Sequence, residues 1–324
     1  MEHRESRLKM TKIKVAVFSG SFAASAVLMR ELRDSHFGIE VLSLLPTYDE
    51  LELIQQIQAH GAQVILIGHE PVTDLTLRSC PSLKVVLKYG VGMEALDIAA
   101  FQGSGVKLHY PVGINKVAVT ELVLFHLLNH FRGFSKDLAA MQAGRWERKE
   151  SQSLQGLTLG IVGLGSIGST VARSVRSLGM KVRFCDLEDR SQLASELNLV
   201  QTEYSLLVRE CDVLSFHVPL TPLTKGMFGQ SMIDLTSKRP LIINTSRGGV
   251  VDHDAVVSAV CSKVLSAYAA DVFMQEPWET RTKEMHPNLY FTPHIAAHSK
   301  EAKLDMGRFC INALQELVSQ GFPF

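Results

Sequence analysis

A short apolar run that ends in three spaced glycines limits most strongly how this chain can fold. Residues 158–168 read Thr-Leu-Gly-Ile-Val-Gly-Leu-Gly-Ser-Ile-Gly, and Gly163, Gly165 and Gly168 fit the spacing G-x-G-x-x-G. The apolar run suits a buried strand, and residues 170–178 continue at helical period. A strand that turns straight into a helix needs a tight turn at Gly163, an unobstructed backbone at Gly165 and close helix–strand packing at Gly168. Ser166 and Ile167 then open the helix, where free N–H groups suit a pyrophosphate. A second strand candidate, 181–186, ends at Asp186. That is the distance at which a carboxylate accepts hydrogen bonds from the ribose hydroxyls of a bound dinucleotide. The glycine spacing alone recurs by chance, but strand, helix and acid together point to a dinucleotide-binding βαβ unit. The Asp186 charge repels a 2′-phosphate and so favours NAD over NADP, while Arg190, four residues on, works against that preference.

The 324 residues are enough for about two domains. Lys plus Arg equals Asp plus Glu at 33 each, so no global field recruits nucleic acid or an anionic membrane. No apolar run is long enough to span a bilayer. Residues 1–9 are polar and are expected to form a frayed leader rather than a secretory signal. The five cysteines (Cys80, Cys185, Cys211, Cys261, Cys310) are scattered and lack C-x-x-C spacing. They read as small core residues of a cytoplasmic, reducing compartment, and no metal site is expected.

Strand candidates at 13–18, 39–45, 63–67 and 83–87 alternate with helical stretches. The clearest helix is 49–60, stopped by Gly61. A second run of this kind extends from about 157 to 291, with strands at 182–185, 213–217, 241–244 and 267–272. Such alternation predicts parallel α/β sheets. Residues 115–134 join the two runs as a long, largely buried helix, with Val117, Glu121, Leu124, Leu128 and Phe131 along one side and other apolar residues widening the stripe. Residues 299–320 form a last helix.

Three polar groups follow strands in the second run. Arg247 stands in Asn-Thr-Ser-Arg-Gly-Gly after the strand 241–244, Glu276 in the segment after 267–272, and His294 behind Pro293. Each alone suits an ordinary surface, turn or loop residue. Together, at three successive strand ends of one sheet, they describe a reaction, because ligands of open parallel sheets bind beyond the carboxyl ends of the strands. Arg247 would hold an α-keto acid through a planar fork of donors. His294 would give a proton to the carbonyl oxygen, and Glu276 would hold the imidazole and favour its charged form.

These segments resemble the D-isomer-specific 2-hydroxyacid dehydrogenases. The resemblance rests on Gly163–Gly168, His217-Val-Pro-Leu-Thr221, Asn244–Asp252, Asp271–Pro277 and Thr292–Ala296, and covers nearly all of the chain past about residue 60. It implies that Arg247, Glu276 and His294 are the catalytic residues. It also implies that Asp271 holds the nicotinamide carboxamide and that His217 and Thr245 line the cofactor cleft. The fold it implies is a pair of Rossmann-like, doubly wound parallel-sheet domains. A substrate domain of flavodoxin type (1–113 plus 296–324) would carry an inserted NAD domain (114–295), and the protein would be a homodimer through the inserted domain, near helix 115–134. Residues 88–97 look like the substrate loop, where the backbone N–H groups of Gly90, Val91 and Gly92 would meet the substrate carboxylate, beside Arg247 and His294, and Tyr89 would add a hydroxyl for a phosphorylated or polar substrate. Ala95 stands where the family pattern has Asn. Lys88 reads either as a charge for a phosphorylated substrate or as a solvated strand-end lysine.

The expected activity is NAD-dependent interconversion of a D-2-hydroxy acid and a 2-keto acid, phosphoglycerate dehydrogenase-like, and feedback through a long domain after Phe324 is not expected. The alternative is an NAD(H)-sensing, corepressor-like binding protein with little turnover, since that branch keeps the same Arg, Glu and His.

Overall fold

Runs such as Val-Ile-Leu-Ile, apolar at every position, suit strands covered on both faces, and here they build parallel sheets flanked by helices. The computed structural model describes residues 12–35, 38–279 and 286–324; the leader expected at 1–9 lies outside these. The chain divides into two compact units, one of residues 1–114 and 300–324, the other of 115–299.

The first unit opens with β1 (Ile13–Val17), α1 (Gly20–Ala23), α2 (Ala26–Arg33), β2 (Ile39–Ser43), α3 (Glu50–His60), β3 (Val64–Ile67), α4 (Asp74–Ser79), β4 (Val85–Lys88), α5 (Ile98–Phe101) and β5 (Lys107–His109). The strands lie parallel in the order β2-β1-β3-β4-β5. β3 and β4 are buried at every residue. Their side chains alternate between two apolar clusters, one with Val64, Leu66 and Leu87, the other with Ile65, Ile67 and Val86. α3 starts where Asp49 accepts hydrogen bonds from the N–H groups of Leu51 and Glu52 (2.8 and 3.2 Å) and stops at Gly61, whose φ is +60°. β2 ends at Ser43 and β4 begins at Val85, two residues inside the expected ranges at those ends.

The second unit holds α6 (Lys116–Arg132), α7 (Phe134–Gln142), β6 (Thr158–Val162), α8 (Ser166–Ser177), β7 (Lys181–Cys185), α9 (Ser191–Leu197), β8 (Val200–Gln201), α10 (Tyr204–Glu210), β9 (Val213–Phe216), α11 (Gln230–Ile233), β10 (Leu241–Asn244), α12 (His253–Cys261), β11 (Ala267–Ala270) and β12 (Leu289–Phe291). Its parallel strands run in the order β12-β11-β10-β9-β6-β7-β8. The order reverses between β6 and β9, which opens a crevice at their carboxyl ends.

α6 corrects one expectation. Its buried face carries Ala118, Val119, Thr120, Val123, His126, Leu127 and Asn129, whereas Val117 and Leu128 of the expected stripe are 57% and 44% exposed. Apolar residues lie on more than one side of this helix, so periodicity picked a stripe that neighbours the buried one. It also ends early, at Gly133 with φ +71°, and the chain restarts as α7.

The chain rejoins the first unit as α13 (Lys300–Ser319), whose Met306, Cys310, Ile311, Leu314 and Leu317 enter the β1–β4 core. All five cysteines are free thiols. Among the described residues no helix is long and apolar enough to cross a membrane, and no cluster of three His, Cys, Asp or Glu could hold a metal ion.

Candidate active site

β6 leads into a turn that is closed on one side and open on the other. Gly163 has φ +94°, and a Cβ on Gly168 would lie 2.1 Å from the Gly163 carbonyl oxygen. Nothing lies within 4 Å of the Cβ position at Gly165, the N-cap of α8. The turn therefore packs inward through Gly168 and leaves its backbone bare at Gly165, beside the N–H groups of Ser166 and Ile167. Asp186, after β7, braces this turn. Its Oδ2 accepts from the Leu164 N–H (2.7 Å) and from Arg190 Nε (3.3 Å), and its Oδ1 accepts from the Glu188 N–H (2.9 Å). Arg190 also pairs with Glu188 (2.6 Å). Two protein carboxylates thus hold the cation that stood against NAD in the sequence.

A cavity of about 640 Å³ opens here, lined by Gly163, Asp186, Leu187, Tyr204, Leu223 and Thr224 among others. Leu187 and Leu223 are 82% and 77% exposed, apolar walls of the kind that suit the faces of a flat base. The Tyr204 hydroxyl donates to the Met227 carbonyl (3.0 Å) and fixes another wall.

Further along the strand ends, two buried polar atoms have no partner: Nδ1 of His217 and Oγ1 of Thr245. They follow β9 and β10, whose last residues Phe216 and Asn244 are register partners. Buried polar atoms are nearly always hydrogen-bonded, so this pair fits a polar ligand. Ser215 Oγ contacts the other His217 ring nitrogen (2.9 Å), and burial pushes the imidazole down to about 4, so it is neutral near pH 7. Bare backbone at Gly165, the cavity beside Asp186 and the orphaned atoms at His217 and Thr245 fit pyrophosphate, adenosine and nicotinamide ribose in turn.

The three chemistry-bearing residues leave adjacent strands β10, β11 and β12. Asn244, fully buried, holds the Arg247 turn. Its Nδ2 donates to the Arg247 carbonyl (2.9 Å) and its Oδ1 accepts from the Ser246 N–H and hydroxyl (3.1 and 2.8 Å). Arg247 Nη1 donates to the Ser246 carbonyl (2.7 Å). Gly248 comes next, where a Cβ would sit 2.0 Å from the Phe273 carbonyl carbon, so only glycine lets the segment after β11 lie against this turn. That segment carries Glu276. Its Oε1 accepts from the Phe273 N–H (2.9 Å) and its Oε2 lies 2.7 Å from His294 Nδ1. A carboxylate only accepts, so Nδ1 donates and Nε2 is the nitrogen left to exchange a proton with a ligand.

His294 has φ +52°, the left-handed region that non-glycine residues rarely adopt, and its N–H donates to the Thr292 carbonyl (3.0 Å). Asp271 holds that shape. It is fully buried, and its Oδ1 accepts from the Thr292 hydroxyl (2.7 Å) and the Ile295 N–H (2.8 Å), its Oδ2 from the Ala296 N–H (2.8 Å). The residue expected to hold a carboxamide is thus also the bracket of the histidine turn.

In the first unit, Lys88 and Tyr89 of the expected substrate loop are buried. The Tyr89 ring is only 8% exposed and packs edge-on against Phe22 (5.6 Å). Lys88 is 2% exposed, and its ammonium donates to the Gly68 carbonyl, whose own N–H donates to the buried Glu70 carboxylate. It is not a solvated strand-end lysine, and its charge, removed from water, is paired. Gly90 has φ +132°, and Val91 and Gly92 are half-buried. Ala95 supplies backbone in place of a side chain: its carbonyl accepts from the Val72 N–H (3.0 Å).

Sequence reasoning missed Ser215, Tyr204 and Leu187. Ser215 lies in the last half of β9, Tyr204 opens α10 and Leu187 follows β7, and that position beside the site was the available signal.

Known proteins resemble this chain. Residues 124–296 match the family model described as D-isomer specific 2-hydroxyacid dehydrogenase, NAD binding domain. A D-3-phosphoglycerate dehydrogenase of Synechocystis sp. is 30% identical over 296 residues, 88% of this chain and 53% of that protein, so the chain spans about half its length. A glyoxylate reductase of Thermococcus litoralis is 29% identical over 280 residues, 84% of each chain. The apo structure of Rhodotorula graminis D-mandelate dehydrogenase superposes with a TM-score of 0.84 at 24% identity over 96% of both chains, a likeness of fold. With the family model matching over half of its length, the glycine turn and acid in place and polar groups ending β10, β11 and β12, the chain belongs to the D-isomer specific 2-hydroxyacid dehydrogenase family and carries its NAD-binding domain.

Proposed function

We propose that the protein is an NAD-dependent oxidoreductase that interconverts a small D-2-hydroxy acid and its 2-keto acid. The observation that carries this reading is the 2.7 Å Glu276–His294 hydrogen bond at the carboxyl ends of neighbouring strands. Gly163, Gly165, Ser166, Ile167 and Gly168 hold the pyrophosphate, Asp186 the ribose, and His217, Thr245 and Asp271 the nicotinamide side. Bound NADH supplies the hydride to C2 of the keto acid. Arg247 clamps the carboxylate and polarises the carbonyl. His294 Nε2 delivers the proton to the carbonyl oxygen, and Glu276 keeps the ring oriented while it carries charge. In the oxidising direction the neutral ring accepts the same proton.

Residues 1–113 with 296–324 act as the substrate domain and 114–295 as the NAD domain. The Gly90–Gly92 backbone contributes N–H groups to substrate binding, with the Tyr89 ring behind it as support. Exposed Phe125 and Leu128 of α6 and Phe134, Leu138 and Met141 of α7 support a homodimer through the NAD domain. The five free cysteines support a cytoplasmic protein, and the balanced charge supports one with no nucleic acid or membrane partner. An NAD(H)-sensing binding protein with little turnover is not favoured, since the relatives are named for reactions.

The test is NADH oxidation against glyoxylate, hydroxypyruvate, 3-phosphohydroxypyruvate, pyruvate, 2-oxoglutarate and branched-chain 2-keto acids. At least one is expected to turn over, and His294→Ala is expected to abolish most of that turnover while NADH still binds. Tight NADH binding without turnover of any keto acid overturns the reading.

A further inference from the structure

The segment that carries Glu276 is exposed from Met274 to Pro277, yet its carboxylate must meet one imidazole nitrogen. What closes this segment is aromatic. Phe273 and Trp278 stand at its two ends and stack face to face, with centroids 4.5 Å apart and planes 11° from parallel. Phe291 sets its edge against both rings, 5.6 Å from Phe273 and 5.0 Å from Trp278. Phe291 is the last residue of β12, three positions before His294. The His253 ring, in the first turn of α12, lies 5.6 Å from Phe273, 5.7 Å from Trp278 and 5.4 Å from Phe291. Tyr268 of β11, 1% exposed, underlies the group at 5.7 Å from both His253 and Phe291. One ring cluster therefore joins the segment bearing Glu276 to the strand bearing His294.

We infer that Trp278 is a positioning residue: its stack on Phe273, held by Phe291, sets the place of Glu276 relative to His294. Phe273 and Phe291 are fixed by the strands they follow or end. Trp278 is the closing half, on the far side of Pro277. Take its ring away and the segment keeps the Phe273 N–H to Glu276 Oε1 bond, but nothing in the cluster then fixes its far end. Edge-to-face and stacked pairs are directional, so a side chain of similar bulk without a ring does not substitute fully.

The inference rests on the roles proposed for Glu276 and His294, and its test reads geometry as well as turnover. A crystal structure of Trp278→Ala is expected to show Glu276 Oε2 out of hydrogen-bond reach of His294 Nδ1, and Trp278→Phe to keep it. Trp278→Leu takes the place of the alanine variant if that one does not fold. In kinetics, Trp278→Ala lowers kcat by about tenfold or more with the NADH dissociation constant unchanged, and Trp278→Phe restores most of it. Combined with Glu276→Gln, the same change lowers kcat by less than about twofold, since residues that act through one another are not additive. An intact Glu276–His294 bond in Trp278→Ala overturns the inference, and so does an equal loss of kcat in both backgrounds. Should no 2-keto acid turn over, the proposed reaction fails, and the crystal structures still decide the role of Trp278.

Discussion

Replacing Asp271 by Asn changes one atom and tests whether this carboxylate holds the histidine turn. The side chain is fully buried and accepts three hydrogen bonds, from the Thr292 hydroxyl, the Ile295 N–H and the Ala296 N–H, at 2.7, 2.8 and 2.8 Å. An amide placed with its oxygen toward Thr292 and Ile295 keeps two acceptor bonds, now neutral. Its NH2 group then faces the Ala296 N–H, donor against donor. Losing one charge-assisted bond costs about 1.5–3 kcal/mol. The other two weaken, since bonds to an ionised acceptor are about twice as strong as neutral ones. Removing a buried charge offsets part of this. The net loss is about 2–4 kcal/mol, which for a unit of this size lowers Tm by roughly 5–15 °C. His294 sits in the strained turn that these bonds hold, at φ +52°. Its relaxation displaces the imidazole, and a shift of about 1 Å at a reacting group lowers kcat on the order of 100-fold. Thermal unfolding of the cofactor-free protein by circular dichroism, with kcat on the best keto acid, reads both effects. A Tm within about 1 °C of the parent would refute the bracket, because no buried, triply bonded carboxylate loses an acceptor at so little cost.

Other consequences are equally direct. Gly168→Ala forces a Cβ to 2.1 Å from the Gly163 carbonyl oxygen, so the turn must open; urea unfolding should show a loss of about 3 kcal/mol and fluorescence titration a large loss of NADH affinity. Asp186→Ala removes the acceptor of the Leu164, Glu188 and Arg190 bonds and the charge that repels a 2′-phosphate, leaving Arg190 paired with Glu188 alone. NADH should bind more weakly and its advantage over NADPH narrow, and an unchanged ratio of the two dissociation constants would take Asp186 out of the ribose site. Acid should destabilise the second unit through its buried histidines, since burial lowers His126, His130 and His217 each to about 4. The unfolded imidazoles titrate near 6.5, so between about 6.5 and 4 the unfolded chain binds more protons. Stability is therefore full above that window, falls as pH drops through it and levels below about 4. His126 is 1% exposed with neither ring nitrogen bonded, so His126→Leu should raise the urea midpoint and flatten its pH dependence.

The parts of the site that were readable in the sequence are local. The glycine spacing of 163–168, the acid at 186 and the polar groups after apolar runs each need only a few consecutive residues, and the backbone conformations they require are set by those residues. Short elements escaped: β8 has two residues and β5 three, too few for any period to register. The facing of α6 escaped because its apolar residues lie on more than one side.

Sequence alone determined that the chain would form parallel α/β sheets, that one strand would turn into a dinucleotide-binding helix, and that Arg247, Glu276 and His294 would follow strands. Only the tertiary structure decided what those groups and their neighbours touch. It placed Lys88 on the Gly68 carbonyl instead of in solvent, turned Arg190 onto two carboxylates, packed Tyr89 into the core, and made Asp271 the bracket of a turn more than twenty residues away. The physical reason is range. Backbone preference and apolar periodicity act over a few residues. The pairing of a buried charge or the stacking of a ring is settled by whichever partner the packed strands bring within a few ångströms, and chain position does not encode that distance.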